Sequence, residues 1–171
     1  LTESLRVRLG LESLTKEALS AHTLATRSKD VGYLFYRLGW LLERDQQPEP
    51  AFYAYQLASR CLTTEPFVLL RLVGLARVVG AFEPMREALS RLAHQSVNPQ
   101  EAANFLYQRG LVALYDLNDH EGAKQDFQQA LTRFPTFSSA LASLGRMALS
   151  EGDTASLQRS FSDEVEALER Q

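Results

Sequence analysis

GLVALYDLNDHEGAKQDFQQALTRFP, residues 110–135, reads as two helices with a turn between them. Apolar residues recur at helical spacing up to Tyr115, and Asn118 and Asp119 then interrupt the run. A second helical pattern carries Ala123, Phe127, Ala130 and Leu131 until Pro135 ends it. Proline lacks the backbone N–H and clashes with the preceding turn, so it marks a helix boundary. The same plan recurs around Gly39, Gly74, Gly110 and Gly145, which are 35, 36 and 35 residues apart. A period in this range marks a stack of helical hairpins, in which each unit buries its apolar faces against its neighbours.

Aligned on these glycines, several positions repeat. Leu38, Val73, Arg109 and Leu144 stand one residue before them. Ala51, Ala123 and Leu157 follow 12 or 13 residues later, with Arg86 as a mismatch. Tyr55, Phe127 and Phe161 follow at 16 or 17, where the second unit has Ser90. Ala58, Ala93 and Ala130 come next, then Pro66, Pro99 and Pro135 close three units. Small residues let two antiparallel helices cross closely, and the aromatic on the second helix is expected to fill the space between hairpins.

This arrangement resembles the tetratricopeptide repeat family. The residues that carry it are Leu38, Gly39, Ala51, Tyr55 and Ala58 in one unit, and Gly110, Ala123, Phe127, Ala130, Leu131 and Pro135 in another. A last unit contributes Leu141, Leu144, Gly145, Gly152 and Phe161. The resemblance spans about residues 32–170. It departs in the second unit, which lacks the alanine and the aromatic, and in the third, which has one extra residue before Ala123. A related helical-hairpin repeat is the alternative. The resemblance implies an all-α, right-handed α-solenoid of four to five stacked antiparallel hairpins. Its expected divisions are an N-terminal helical pair or cap (1–31), repeat 1 (32–65), a degenerate repeat 2 (66–99), repeat 3 (100–135) and repeat 4 with a C-terminal capping helix (136–171).

Helices are predicted over 2–13, 15–28, 32–45, 50–63, 66–79, 84–96, 100–116, 120–133, 136–150 and 153–170. Thr15 and Asp153 suit N-caps, Pro50 and Pro84 suit first turns, and Asn118 and Gly152 suit helix ends. No strand is predicted, because runs such as Val68-Leu69-Leu70 lie inside helix-length segments.

Composition narrows the function. Net charge is −3 over 171 residues, without the basic stripe that accompanies nucleic-acid binding. No run of 18 apolar residues is present to span a membrane. Leu1 at the start is read as the mark of a fragment or processed form, with any anchor outside it. Cytoplasm and periplasm are both compatible, and a single cysteine, Cys61, requires no oxidising compartment. Arginine outnumbers lysine fifteen to three and isoleucine is absent, which suggests a GC-rich bacterial genome.

Catalytic signatures are missing. His22, His94 and His120 share no metal-ligand spacing, and neither a phosphate-binding glycine loop nor a paired-cysteine motif occurs. Cys61 reads as a structural thiol, and the acids of the last helix read as a solvated face. No enzyme, metal or cofactor is expected.

The family resemblance implies that the first helix of each pair lines a concave face that binds a partner. By position from the glycines, that face comprises Tyr33, Tyr36, Arg37, Trp40 and Arg44, then Val68, Arg71, Leu75 and Val78. It continues through Asn104, Tyr107, Gln108, Leu111 and Tyr115 to Ser139, Ala142, Arg146 and Leu149. Tyrosine, tryptophan and arginine dominate binding energy at interfaces, although aromatics at helical spacing are equally the signature of interhelical packing. The first helices carry six arginines against four acids, so a protein segment with apolar and acidic groups is the expected partner. The Lys-x-x-x-Asn element used by family members that grip a chaperone's C-terminal carboxylate would fall at Tyr36 and Trp40, so that mode is rejected. Cell-envelope work, in pilus or exopolysaccharide assembly, is the narrower expectation. The alternative is a structural module that self-associates or fills its own groove.

Overall fold

The computed structural model describes residues 29–152 and 154–169, and every regular element among them is an α-helix. Eight follow in order: α1 (Lys29–Arg44), α2 (Pro48–Cys61), α3 (Pro66–Val79), α4 (Phe82–Gln95), α5 (Pro99–Tyr115), α6 (His120–Arg133), α7 (Ser138–Glu151) and α8 (Thr154–Glu169). The all-α hairpin architecture is therefore as expected. The helices predicted over 2–13 and 15–28, with Thr15 and His22, lie outside the described residues, as does the Asp153 cap. Helices α2 and α4 begin two residues earlier than predicted, at Pro48 and Phe82. Pro50 and Pro84 thus stand third in their helices, where a missing N–H still costs no intrahelical bond.

The chain forms two compact units, Leu1–Val68 and Leu69–Gln171. In the first, α1 packs on α2. Its core joins Phe35, Ala58, Leu62 and Val68, bordered by Val31, Tyr36, Leu57 and Phe67. In the second, α5 packs on both α4 and α6, α6 meets α7, and α7 packs on α8.

One residue with a left-handed backbone sits after each of α1, α3, α5 and α7: Gln46 (φ 58°), Gly80 (φ 73°), Asn118 (φ 54°) and Gly152 (φ 70°). A single such residue satisfies the last carbonyls and turns the chain back. Gln47 N donates to Leu42 O at 2.9 Å and Ala81 N to Ala76 O at 2.8 Å, closing two of these ends. Side-chain caps open two helices, one at the link between two hairpins and one at a turn within a hairpin. Asn98 Oδ1 accepts from Gln100 N (2.9 Å) and Glu101 N (3.4 Å) at the start of α5. Asp119 Oδ1 accepts from Gly122 N (2.9 Å) at the start of α6.

Tyr55 and Phe127 do not fill the space between hairpins expected from the sequence but lie inside their own hairpins, and the Phe161 side chain lies outside the described residues. A Cβ on Gly39 would come within 2.9 Å of the Tyr55 ring, and one on Gly110 within 2.5 Å of the Phe127 ring. Each ring then meets a tyrosine of the first helix. Tyr55 stacks on Tyr36 at 5.4 Å and Phe127 on Tyr107 at 5.5 Å. It is these tyrosines that reach the following segment, edge-on to Phe67 at 4.9 Å and to Phe137 at 5.5 Å.

The second hairpin keeps the repeat in a shifted register. Gly74 is exposed, with nothing within 4 Å of an added Cβ. Ala76, Ala88 and Leu92 are buried instead, at the same 12- and 16-residue intervals as Gly39, Ala51 and Tyr55. Arg86 and Ser90, the apparent mismatches, arose from aligning on Gly74. Substitution separates the two kinds of glycine. Gly110→Ala overpacks the Phe127 contact and is expected to cost about 1–3 kcal/mol. Gly74→Ala relieves an exposed helical glycine and is expected to stabilise by about 1 kcal/mol. Calorimetric melting of the two variants checks both signs.

Candidate functional site

Helices α1, α5 and α7 each bury one face and present another to solvent. On α1, Gly32, Phe35, Gly39 and Leu42 are buried, leaving Tyr33, Arg37, Trp40 and Arg44 outside. Trp40 is 46% exposed. The Arg44 guanidinium lies 5.5 Å from the Trp40 ring centroid, a cation–π contact that fixes both side chains on the surface. Tyr36 is half-buried between Tyr55 and Phe67.

On α5, Asn104 and Tyr115 are exposed, Tyr115 at 71%, while Gln108 and Leu111 are partly covered. Tyr107 is half-buried between Phe127 and Phe137. On α7, Ser139, Arg146 and Leu149 are exposed beside the partly covered Ala142, and Arg146 Nη2 donates to Ser143 Oγ at 3.0 Å.

Helix α3 departs from the expected face. Val68 and Leu75 are core residues, while Arg71 and Val78 are exposed. In the corrected register, the equivalents of Tyr33, Arg37 and Trp40 are Leu70, Gly74 and Arg77, all exposed. Apolar residues surround α3 almost all the way round, so its sequence carries little phase information. Arg77 is thus a face residue missed from sequence, and the spacing of Ala76, Ala88 and Leu92 was the signal that locates it.

The exposed first-helix residues include Arg37 and Arg44 in the first unit and Arg77 and Arg146 in the second, and Arg44 lies 3.8 Å from the neighbouring Asp45 carboxylate. Other features offer no competing chemistry. An open cleft of about 440 Å³ is lined by Glu83, Pro84, Arg86, Glu87, Ser90 and Arg109. Its cations are already engaged, Arg86 with Asp119 at 3.0 Å and Arg109 with Asp126. Burial pushes the half-buried Cys61 thiol above its ordinary range, which opposes the thiolate a nucleophile needs. Among the described residues no group of His, Cys, Asp and Glu could hold a metal ion, and no helix is long and apolar enough to cross a membrane.

Repeated antiparallel hairpins define a helical-repeat protein. Residues 105–136 match the tetratricopeptide repeat family. A search of curated proteins finds no match. Among solved structures the chain is similar in fold to MamA, at 16% identity and a TM-score of 0.59, covering 98% of this chain and 94% of that one. It is similar to Pseudomonas aeruginosa PilF at 17% identity and 0.55, covering 96% and 75%. A tetratricopeptide repeat protein from Parabacteroides merdae aligns at 22% identity and 0.55, covering 96% and 63%. Proteins of this family are in general non-catalytic scaffolds for protein interaction.

The geometry divides the aromatic residues of the face into two kinds. Tyr107→Ala removes a ring packed on two others and is expected to destabilise by about 2–4 kcal/mol. Trp40→Ala removes a ring that is nearly half exposed and is expected to cost under about 1 kcal/mol. Urea denaturation followed by far-ultraviolet circular dichroism measures both.

Proposed function

We propose that this chain is a scaffold that docks a segment of a partner protein on the outward faces of its first helices, recognising apolar and acidic side chains. The observation that carries the reading is the surplus of Trp40, Tyr33, Tyr115 and four arginines on faces whose opposite sides already satisfy the packing of each hairpin. Exposed Trp, Tyr and Arg are the residue types that supply hot spots. Arginine forks suit carboxylates in particular. Tyr33, Arg37, Trp40 and Arg44 form one recognition surface. Asn104, Gln108, Leu111, Tyr115 and Arg146 supply others, with Tyr36 and Tyr107 holding the helices beneath.

A role in envelope assembly, as a module of a larger bacterial protein, enters this proposal from the family resemblance. Capture from lysate of the source organism tests both levels. The comparison is wild type against Trp40→Ala/Arg44→Ala and Tyr115→Ala/Arg146→Ala, variants expected to keep wild-type helicity because their side chains are exposed. A partner retained by the wild type and lost by either variant supports docking on these faces. Equal retention by all three moves the interface elsewhere. Concentration-dependent sedimentation of the chain alone, abolished by the same substitutions, replaces the proposal with self-association. A metabolic or ribosomal partner overturns the envelope assignment while leaving the scaffold reading intact.

A further inference from the structure

In the corrected register, the residues before Gly39, Ala76, Gly110 and Gly145 are Leu38, Leu75, Arg109 and Leu144. Three are leucine and one is arginine. The Arg109 side chain is only 14% exposed, and that of its partner Asp126 4%. In the first hairpin the corresponding pair is Leu38 and Ala54, so the fold of a hairpin does not require a charge at either place.

The guanidinium serves three elements. It extends from α5, donates from Nη1 to Ser90 Oγ on α4 at 2.9 Å, and donates from Nη2 to Asp126 Oδ1 on α6. Nη2 also donates to Gln129 Oε1 on α6 at 3.0 Å. A second tie runs parallel to it, from Arg86 on α4 to Asp119 at the cap of α6. The ring chains found elsewhere do not occur at this joint. The residues equivalent to Tyr55 and Tyr36 are Leu92 and Val73, and the places of Phe67 and Phe137 fall on Asn104 and Ala103, so none is aromatic.

We propose that Arg109 is the register key of the α4–α5–α6 joint. Its forked guanidinium replaces the aromatic link of the other hairpins with a charged one, and ties α4 to α6 through α5. The arrangement suits arginine and not lysine, because only a planar fork addresses partners on two helices at once. A buried ion pair contributes little over an apolar replacement of both partners, but leaving one partner alone is costly. Its value here is the fixing of one arrangement, with Asp126 Oδ2 and Arg109 Nε left without a partner as the cost.

Melting and amide hydrogen exchange on the full chain test this, with Arg109→Leu, Arg109→Lys and the double variant Arg109→Leu/Asp126→Ala, which recreates the Leu38/Ala54 pair. Arg109→Leu is expected to lower Tm on the order of 10 °C, since it strands a buried carboxylate. The double variant is expected to recover most of that loss while α4 still exchanges on the order of ten times faster than in the wild type, because Ser90 has lost its tie. Arg109→Lys is expected to fall between wild type and Arg109→Leu in both readouts. An unfolded Arg109→Leu beside a folded double variant also supports the proposal. Three outcomes overturn it: wild-type melting and exchange in Arg109→Leu, wild-type exchange of α4 in the double variant, or Arg109→Lys indistinguishable from arginine. A double variant no more stable than Arg109→Leu also overturns it, since the arginine then acts by its bulk.

Discussion

Two chains of three rings set the geometry on which the rest depends: Tyr55–Tyr36–Phe67 and Phe127–Tyr107–Phe137. Each begins on the second helix of a hairpin, crosses the first helix, and ends at the start of the following segment. The first ring requires a glycine opposite it, so Gly39 and Gly110 follow from the aromatics and not from any need for flexibility. Edge and tilted ring contacts have preferred geometries, unlike aliphatic packing, so each chain specifies an angle as well as a distance. Tyr55 adds a hydrogen bond from its hydroxyl to Glu43 Oε2 at 3.0 Å, which ties the end of α1 to the middle of α2.

This explains what could be read from the sequence and what could not. Helix positions were legible because prolines, caps and turn residues act locally. Pro66, Asn98-Pro99, Asp119 and Gly152 each stand where the structure begins or ends a helix. The outward face of α1 was legible because its buried positions, Gly32, Phe35, Gly39 and Leu42, recur at intervals of three and four, whereas on α5 only Asn104 and Tyr115 of the expected face are exposed. The face of α3 was not legible, because its apolar residues run nearly all round and Gly74 offered a false anchor. Burial of Ala76 and Leu92 appears only in the folded chain, and alanine is too common a residue to announce it. Gln46 escaped notice for a similar reason. A left-handed glutamine carries no sequence mark, and only the hydrogen bond from Gln47 N to Leu42 O shows why the chain turns there.

The Arg109 network was illegible for a different reason. Arginine at position 109 breaks the apolar pattern, and by pattern alone it reads as a solvent-facing residue. Its burial depends on Ser90 being 19 residues upstream and on Asp126 and Gln129 being 17 and 20 downstream. No local rule connects such positions. Buried charge is tolerated only when its partners are already in place, so this feature belongs to the assembled hairpins.

The same register separates what packing dictates from what it leaves free. Before Gly39, Ala76, Gly110 and Gly145 the chain holds Leu38, Leu75, Arg109 and Leu144, and the single exception is engaged by three neighbours. After them stand Trp40, Arg77, Leu111 and Arg146, four positions of which only Leu111 is partly covered and the rest exposed. A residue between two packed helices must suit its neighbours, and leucine does so in three hairpins. One step further along the helix, about 100° round, packing places almost no demand on chemistry. An indole, two guanidiniums and a branched aliphatic occupy equivalent places there without any cost to the hairpins. The exposed indole of Trp40 is mildly unfavourable for solubility, and folding gains little from it. In the docking proposed above, an apolar and acidic partner would cover these side chains.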